Sequence, residues 1–141
     1  MALIYKPLNY SLCKRLANKR YAEAKLLNKK RLFSGAYYLG GYVIELALKA
    51  CYCKNVKKGE FPPERGVYDK LYNHDLNKLL DVSGIKSDFN DEVENSNDLQ
   101  SAWDVIKDWS EKTRYTILNK EEAESLINSI EKVFNWIMTK W

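Results

Sequence analysis

The chain has 141 residues, a length typical of one domain. Its residues are 45% hydrophobic and 30% charged, a composition that excludes a disordered chain. Its three cysteines, Cys13, Cys51 and Cys53, are too few and too scattered for a disulfide framework. Residues 1–72 hold 15 Lys and Arg against 5 Asp and Glu, and residues 73–141 hold 8 against 14. The basic half can attract phosphates or nucleic acid, contact an acidic partner, or be neutralised by the other half.

The first predicted helix runs from about Ser11 to Lys30, with Ser11 as the N-cap. Its basic side chains predict a solvated face. The apolar face consists of Leu12, Leu16, Ala17, Ala24 and Leu27.

The second predicted helix runs from near Ser34 to about Cys53 and is almost entirely apolar. Only Glu45 and Lys49 are charged between residues 36 and 53. Two charges near the middle argue against a membrane span, so we expect the central helix of a bundle. Gly40 and Gly41 weaken the helix, and we expect them to allow close approach by another backbone.

A long basic connection over residues 54–73, with Pro62 and Pro63, leads to a short third helix. Asn73 is the predicted cap and Gly84 the predicted stop. Leucines are expected to face inward, namely Leu76, Leu79 and Leu80.

Two further helices begin with capping-box patterns, Asn97 with Gln100 and Asn119 with Glu122. The fourth is predicted to bury Leu99, Ala102, Trp103, Ile106 and Trp109. The last carries a stripe of Ala123, Leu126, Ile127, Ile130, Val133, Phe134, Ile137, Met138 and Trp141. We therefore predict a single all-α domain over residues 1–141, an antiparallel up-and-down bundle of about five helices.

Glu45 and Lys49 are the first candidate site residues. Burying them unpaired would cost several kcal/mol, so they need partners or a wet cleft. A functional cleft and a structural polar network both satisfy this requirement. Gly41 lies one turn before Glu45 and can open space for a ligand.

His74, Arg114 and Tyr115 are the other candidates. His74 is the single histidine, and it can act as a pH-sensitive polar group or as a capping or packing residue. Arg114, next to Tyr115, can bind phosphate or pair with Glu45 or with an acidic helix end. The cysteines are predicted to be reduced packing residues; Cys51 and Cys53 point to nearly opposite sides of a helix, so no metal site is expected.

Three segments resemble one family. Residues 36–50 read AYYLGGYVIELALKA and contain a Glu-x-x-x-Lys-Ala pattern; His74-Asp-Leu is followed by Leu79-Leu80; and residues 109–115 read WSEKTRY. Their order and spacing over roughly residues 11–138 resemble the HEPN family (higher eukaryotes and prokaryotes nucleotide-binding).

The resemblance implies an up-and-down helical bundle, often dimeric. The family includes ribonuclease toxins, partners of minimal nucleotidyltransferases, and noncatalytic nucleotide- or RNA-associated modules. Its ribonucleases carry an Arg, four to six residues, then a His. Here eight residues separate Arg65 from His74, so this chemistry is not expected, although Arg114 and His74 can form a composite site.

The expected function is a noncatalytic module that binds a nucleotide or RNA through Glu45, Lys49, His74, Arg114 and Tyr115. Pairing with a nucleotidyltransferase chain in a two-gene, toxin–antitoxin-like system is the related expectation. The alternatives are a divergent metal-independent ribonuclease toxin using His74 and Arg114, and a structural homodimer without ligand. We expect a homodimer, no cofactor, no membrane contact and, from the absence of a leader in residues 1–10, a cytoplasmic location.

Overall fold

The computed structural model describes residues 8–55 and 69–141, and the regular structure in these ranges is entirely helical. This confirms the all-α prediction. The elements with defined bounds are α1 (Tyr10–Lys29), α2 (Phe33–Asn55), α3 (Leu76–Val82), α4 (Lys86–Asn95), α5 (Asn97–Ile106), a 3₁₀-helix (Glu111–Tyr115) and α6 (Lys120–Met138).

The described residues contain more helices than the predicted five. α4 forms in an acidic stretch that the pattern did not assign to a helix, because Phe89 anchors it with a ring that is 4% exposed. The 3₁₀-helix forms in the connection before α6. Most of the predicted basic connection, residues 56–68, lies outside the described residues.

Three helix caps lie one or two residues from their predicted positions. The N-caps are Asn9 instead of Ser11, Asp75 instead of Asn73, and Ser96 instead of Asn97. Each N-cap residue has an extended backbone, and its side-chain oxygen accepts from an N–H in the first helical turn. The two remaining predictions are confirmed, since Asn119 caps α6 and Gly84 follows α3 with φ of +87°.

The three long helices, α1, α2 and α6, do not all alternate in direction. The end of α1 packs on the start of α2, where the Cβ position of Gly35 is 3.4 Å from Leu27 Cδ1. α2 and α6 run parallel, so the predicted antiparallel arrangement does not hold for this pair. Ser34 Oγ accepts from Leu118 N before α6, and Lys54 Nζ donates to Lys140 O after it.

The core lies around α2 and α6. The predicted α6 stripe is confirmed for its buried members, Ala123, Leu126, Ile127, Ile130, Val133, Phe134 and Ile137, whereas Met138 and Trp141 are partly exposed. The expectation for Gly40 was wrong in one respect. A Cβ there would lie 2.9 Å from Ile130 Cδ1, so side chains of α6, and not another backbone, use the space. In the described ranges, no helix is long and apolar enough to cross a bilayer.

Candidate functional site

A buried carboxylate in the middle of α2 holds two basic groups. Glu45 is 4% exposed. Its Oε1 lies 2.6 Å from His74 Nδ1, and its Oε2 lies 3.4 Å from Lys49 Nζ. The partners that burial of Glu45 demands are therefore one residue on its own helix and one 29 residues away.

The loop before α3 positions His74. Asn73 Oδ1 accepts from Asp75 N, and Asp75 Oδ1 accepts from Asn77 N and Lys78 N at the start of α3. These bonds hold the backbone on both sides of His74 while its Nδ1 contacts Glu45. The His74 side chain is 46% exposed, so the rest of its ring faces solvent.

Aromatic rings line the same side of α2. The Tyr42 ring lies 6.0 Å from His74 and 4.9 Å from Trp109, both edge to face. Tyr42 Oη and Tyr38 Oη are 3.4 Å apart. Burial and the hydrogen bond with Tyr38 raise the pKa of Tyr42, so this phenol stays neutral.

Trp109 occupies the space beside Gly41. A Cβ on Gly41 would lie 1.9 Å from Trp109 Cδ2 and from Cε2. The indole Nε1 also donates to Tyr37 O at 3.1 Å. The prediction that Gly41 opens room for a ligand was therefore wrong, because an aromatic side chain of the same molecule fills that room.

Arg114 and Tyr115 lie at the solvent edge of this aromatic cluster. The Arg114 guanidinium carbon is 4.8 Å from the centre of the Tyr115 ring, and both residues are exposed. Hydrogen bonding with Tyr115, and to a lesser extent with Tyr38, raises the pKa of Arg114. The predicted alternative of an Arg114–Glu45 pair is wrong, because Glu45 pairs with Lys49 and His74 instead.

A cleft of about 390 Å³ opens in front of His74, and we call it the His74 cleft. It is lined by Asn73, His74, Asp75, Asn77, Lys107, Asp108, Trp109, Ser110, Glu111 and Lys112. Of the five residues predicted to bind a ligand, only His74 lines it. Glu45 and Lys49 lie on α2, on the buried side of His74. Arg114 and Tyr115 follow Lys112 in the same 3₁₀-helix.

Sequence reasoning did not single out the lysines of this cleft. Lys107 is paired with Asp104 at 3.1 Å, whereas Lys112 makes no ion pair within the described part of the chain. The signal for Lys112 was its place in the segment that also holds Trp109 and Arg114. The described residues contain no group of three or more His, Cys, Asp or Glu side chains placed to hold a metal ion.

Comparisons with known proteins gave one match. The family model described as HEPN domain matches residues 10–141, which is nearly the whole chain. Neither the curated proteins nor the solved structures contain a match to this chain.

Proposed function

The chain belongs to the HEPN domain family, and we propose that it is a noncatalytic module that binds a nucleotide or RNA at the His74 cleft. One observation carries the proposal. A buried carboxylate, Glu45, holds Nδ1 of the single histidine, and that histidine lines an open cleft. Removing a carboxylate from water costs free energy. A buried carboxylate that orients a half-exposed histidine beside a cleft therefore supports a ligand site there.

The ligand that this cleft favours carries phosphate. Lys112 is an exposed cation on its wall, and Arg114 lies two residues further along the same 3₁₀-helix. A guanidinium presents forked donors that match phosphate oxygens. Three carboxylates also line the cleft, namely Asp75, which caps α3, Asp108 and Glu111, and Lys107 is paired with Asp104. The cations left to hold a phosphate are therefore Lys112 and the neighbouring Arg114, so we place the phosphate at that edge of the cleft.

Aromatic side chains supply a second kind of contact. The Tyr115 ring is 78% exposed and carries the Arg114 guanidinium on one face. A nucleobase can stack on such a surface while its phosphate contacts a neighbouring cation. Glu45 and Lys49 serve this site by orienting His74 and by neutralising each other, and they do not touch the ligand.

We expect labelled single-stranded RNA to bind weakly at low salt and to dissociate as salt rises. Arg114→Ala and Lys112→Ala should each weaken binding and reduce the salt slope by about 0.7, because each removes about one phosphate contact. Fluorescence anisotropy between low and moderate salt measures both quantities. Lys132→Ala is the matched control, because this exposed lysine of α6 does not line the cleft and its loss changes net charge equally.

A mononucleotide should show a milder salt effect, because it displaces fewer counterions. Equal losses in Lys132→Ala and Arg114→Ala would show that binding is only general attraction to a basic surface. Absence of RNA and nucleotide binding at low salt would contradict the proposal and favour a partner-binding or structural role.

The second candidate function is a metal-independent ribonuclease that uses His74 with Arg114. The contact of 2.6 Å between Glu45 Oε1 and His74 Nδ1 favours it, because a carboxylate fixes the tautomer of an acid–base histidine. The case against it is the missing Arg–His spacing, since eight residues separate Arg65 from His74, and His74 is the one histidine that the chain supplies for proton transfer.

We therefore expect no RNA cleavage above background by the wild type in the presence of a chelator. The assay compares wild type with His74→Ala and Arg114→Ala on one RNA substrate at equal protein concentration. Cleavage by the wild type that disappears in His74→Ala would overturn the noncatalytic assignment and establish the ribonuclease.

Protein partners are the last part of the proposal. A minimal nucleotidyltransferase chain, in a two-gene toxin–antitoxin-like system, and a second copy of this chain are the two that we propose. Large apolar side chains at the end of the bundle where α1 meets α2 support a protein contact, since Leu26 and Leu32 are each 57% exposed and Ile117 is 95% exposed. Ile117 lies at this end because the next residue, Leu118, is bonded to Ser34.

A further inference from the structure

The turn between α1 and α2 exposes cations and apolar side chains side by side. Lys29, Lys30 and Arg31 are exposed, and they form no ion pair with any residue that the structure describes. Leu32 follows them and is largely exposed, as is Ile117 from the connection before α6. We call these five residues the basic tip. Exposed apolar side chains bordered by polar ones are typical of a protein contact surface.

Arg31 stands at a backbone position that favours glycine. Its φ is +63°, in the left-handed region, where a side chain strains the backbone. The turn is held in this form, because Leu32 N donates to Leu27 O at 2.8 Å. Backbone strain of this kind is typical of residues that have a function. The strain therefore supports a contact that uses the Arg31 guanidinium.

A row of carboxylates on α4 carries the opposite charge. Asp88, Asp91 and Glu94 are exposed and follow one another at three-residue spacing, so they lie on the outer side of the helix. Phe89 is buried on the other side. Asp88 is 3.6 Å from Lys140, whereas Asp91 and Glu94 form no ion pair inside the described ranges. We call the three carboxylates the acidic face.

The basic tip and the acidic face lie at opposite ends of the bundle. The tip is at the start of α6, where Leu118 is bonded to Ser34. The acidic face is at the end of α6, where Asp88 contacts Lys140. An α-helix of 19 residues is about 28 Å long, several times the Debye length of about 8 Å at physiological salt. The two charged surfaces of one molecule are therefore too far apart to neutralise each other.

Charge decides which surface of a second copy can cover the basic tip. Two tips that faced each other would bring like charges together, which is strongly unfavourable in a contact. The acidic face of another copy instead offers one carboxylate for each cation of the tip. Half-buried Trp136, whose ring centre is 5.5 Å from that of Phe89 on α4, is available to the apolar residues of the tip.

We propose that the basic tip of one copy docks on the acidic face of a second copy, which presupposes the second-copy partner of the proposed function. The chains then associate head to tail, because the two surfaces in contact are different. A pair of molecules keeps one free tip and one free acidic face. Contacts of this heterologous kind continue into a ring or an open chain, whereas a surface that contacts itself stops at a dimer.

Charge reversal on each surface tests the contact, with the full chain in every sample. The tip variant carries Lys29→Glu and Lys30→Glu, and the face variant carries Asp91→Lys and Glu94→Lys. Sedimentation velocity measures association over a range of protein concentrations, in about 10 mM and in about 1 M salt. Wild type should associate in low salt and dissociate in high salt. Each variant alone should associate at least about tenfold more weakly in low salt, because its two surfaces then carry like charges.

A mixture of the two variants distinguishes the proposed contact from a symmetric one. The reversed tip fits the reversed face, and the unchanged face fits the unchanged tip, so the mixture should regain the association that neither variant has alone. A symmetric contact between tips would leave the face variant as strongly associated as the wild type.

Two further variants separate the contact from general effects on charge and folding. Arg15→Glu with Lys19→Glu makes the same charge change on exposed residues of α1 outside the tip, and it should associate as wild type does. Arg31→Gly removes one cation of the tip and relieves the strained backbone. It should therefore weaken association while chemical denaturation shows a stability equal to or above that of the wild type.

Equal association of the wild type and both charge-reversed variants in low salt, including none at all, would overturn the proposal. Wild-type association of the face variant alone, or a mixture that regains nothing, would overturn it as well. A stable dimer that every variant retains would leave a second copy as partner but place the contact elsewhere. The RNA measurement at the His74 cleft is separate, because sedimentation uses no nucleic acid and all these variants keep Lys112 and Arg114.

Discussion

Gly41→Ala should destabilise the protein by about 3 kcal/mol, even though alanine is the better helix former. The new Cβ would lie 1.9 Å from two carbons of the Trp109 indole, so the ring must leave or the helices must separate. Trp109 is 3% exposed, and losing a buried tryptophan costs roughly 3–5 kcal/mol, which outweighs a helix-propensity gain of about 1 kcal/mol. Chemical denaturation measures the free energy of unfolding.

Gly35→Ala is the control for Gly41→Ala. A Cβ at Gly35 would meet Leu27 Cδ1 at 3.4 Å, which is an ordinary contact. This variant of the same helix should be unchanged or more stable by up to about 1 kcal/mol. Similar stabilities of the two variants would contradict the assigned role of Trp109. The predicted Gly41→Ala loss includes the hydrogen bond from Trp109 Nε1 to Tyr37 O.

Glu45→Leu should cost about 3–5 kcal/mol of unfolding free energy, the range typical when one partner of a buried ion pair is removed. The variant removes the acceptor of both Lys49 and His74. Lys49 is 9% exposed, so its ammonium group is then buried without a partner. His74 suffers less, because its half-exposed side chain can contact water instead.

A double-mutant cycle tests whether the pair acts as a unit. Lys49→Met should cost less than Glu45→Leu, because Glu45 keeps His74 as a partner. The double variant should be more stable than Glu45→Leu alone, since no unpaired charge remains in the core. Simple additivity of the two single losses, measured by denaturation, would show that Glu45 and Lys49 do not neutralise each other.

The same cycle separates structure from function at the His74 cleft. In the double variant the core is apolar and the histidine has lost its carboxylate. If the oriented His74 is needed for the ligand, RNA binding should fall even though stability is largely restored. Retention of full binding would show that His74 is not held for the ligand and that Lys112 and Arg114 are sufficient.

Patterns within a few residues determined the helices. The apolar stripe of α6 and the apolar length of α2 follow from the helical period, so they were predictable from spacing alone. The need of Glu45 and Lys49 for partners was predictable too, because the cost of burying charge does not depend on the fold. The family resemblance rested on such local segments, and the match over residues 10–141 confirms it.

Helix ends were less predictable than helix interiors. Asn9, Asp75 and Ser96 each compete with a neighbouring residue that has equal capping ability. The choice depends on where the chain leaves the helix, and this is set by how the helix packs. The predicted caps were therefore wrong by one or two residues, while the helices themselves were correct.

Only the tertiary structure decided which distant residues meet. The sequence by itself determined an all-α chain with a buried charge pair, but the one partner outside α2 that it offered for Glu45 was Arg114, whereas the structure places His74 there. The loop before α3 supplies His74, and the connection before α6 supplies Trp109 to fill the space at Gly41. These contacts join residues far apart in the chain, so they depend on the paths of the connections and the directions of the helices, and no periodic pattern encodes either.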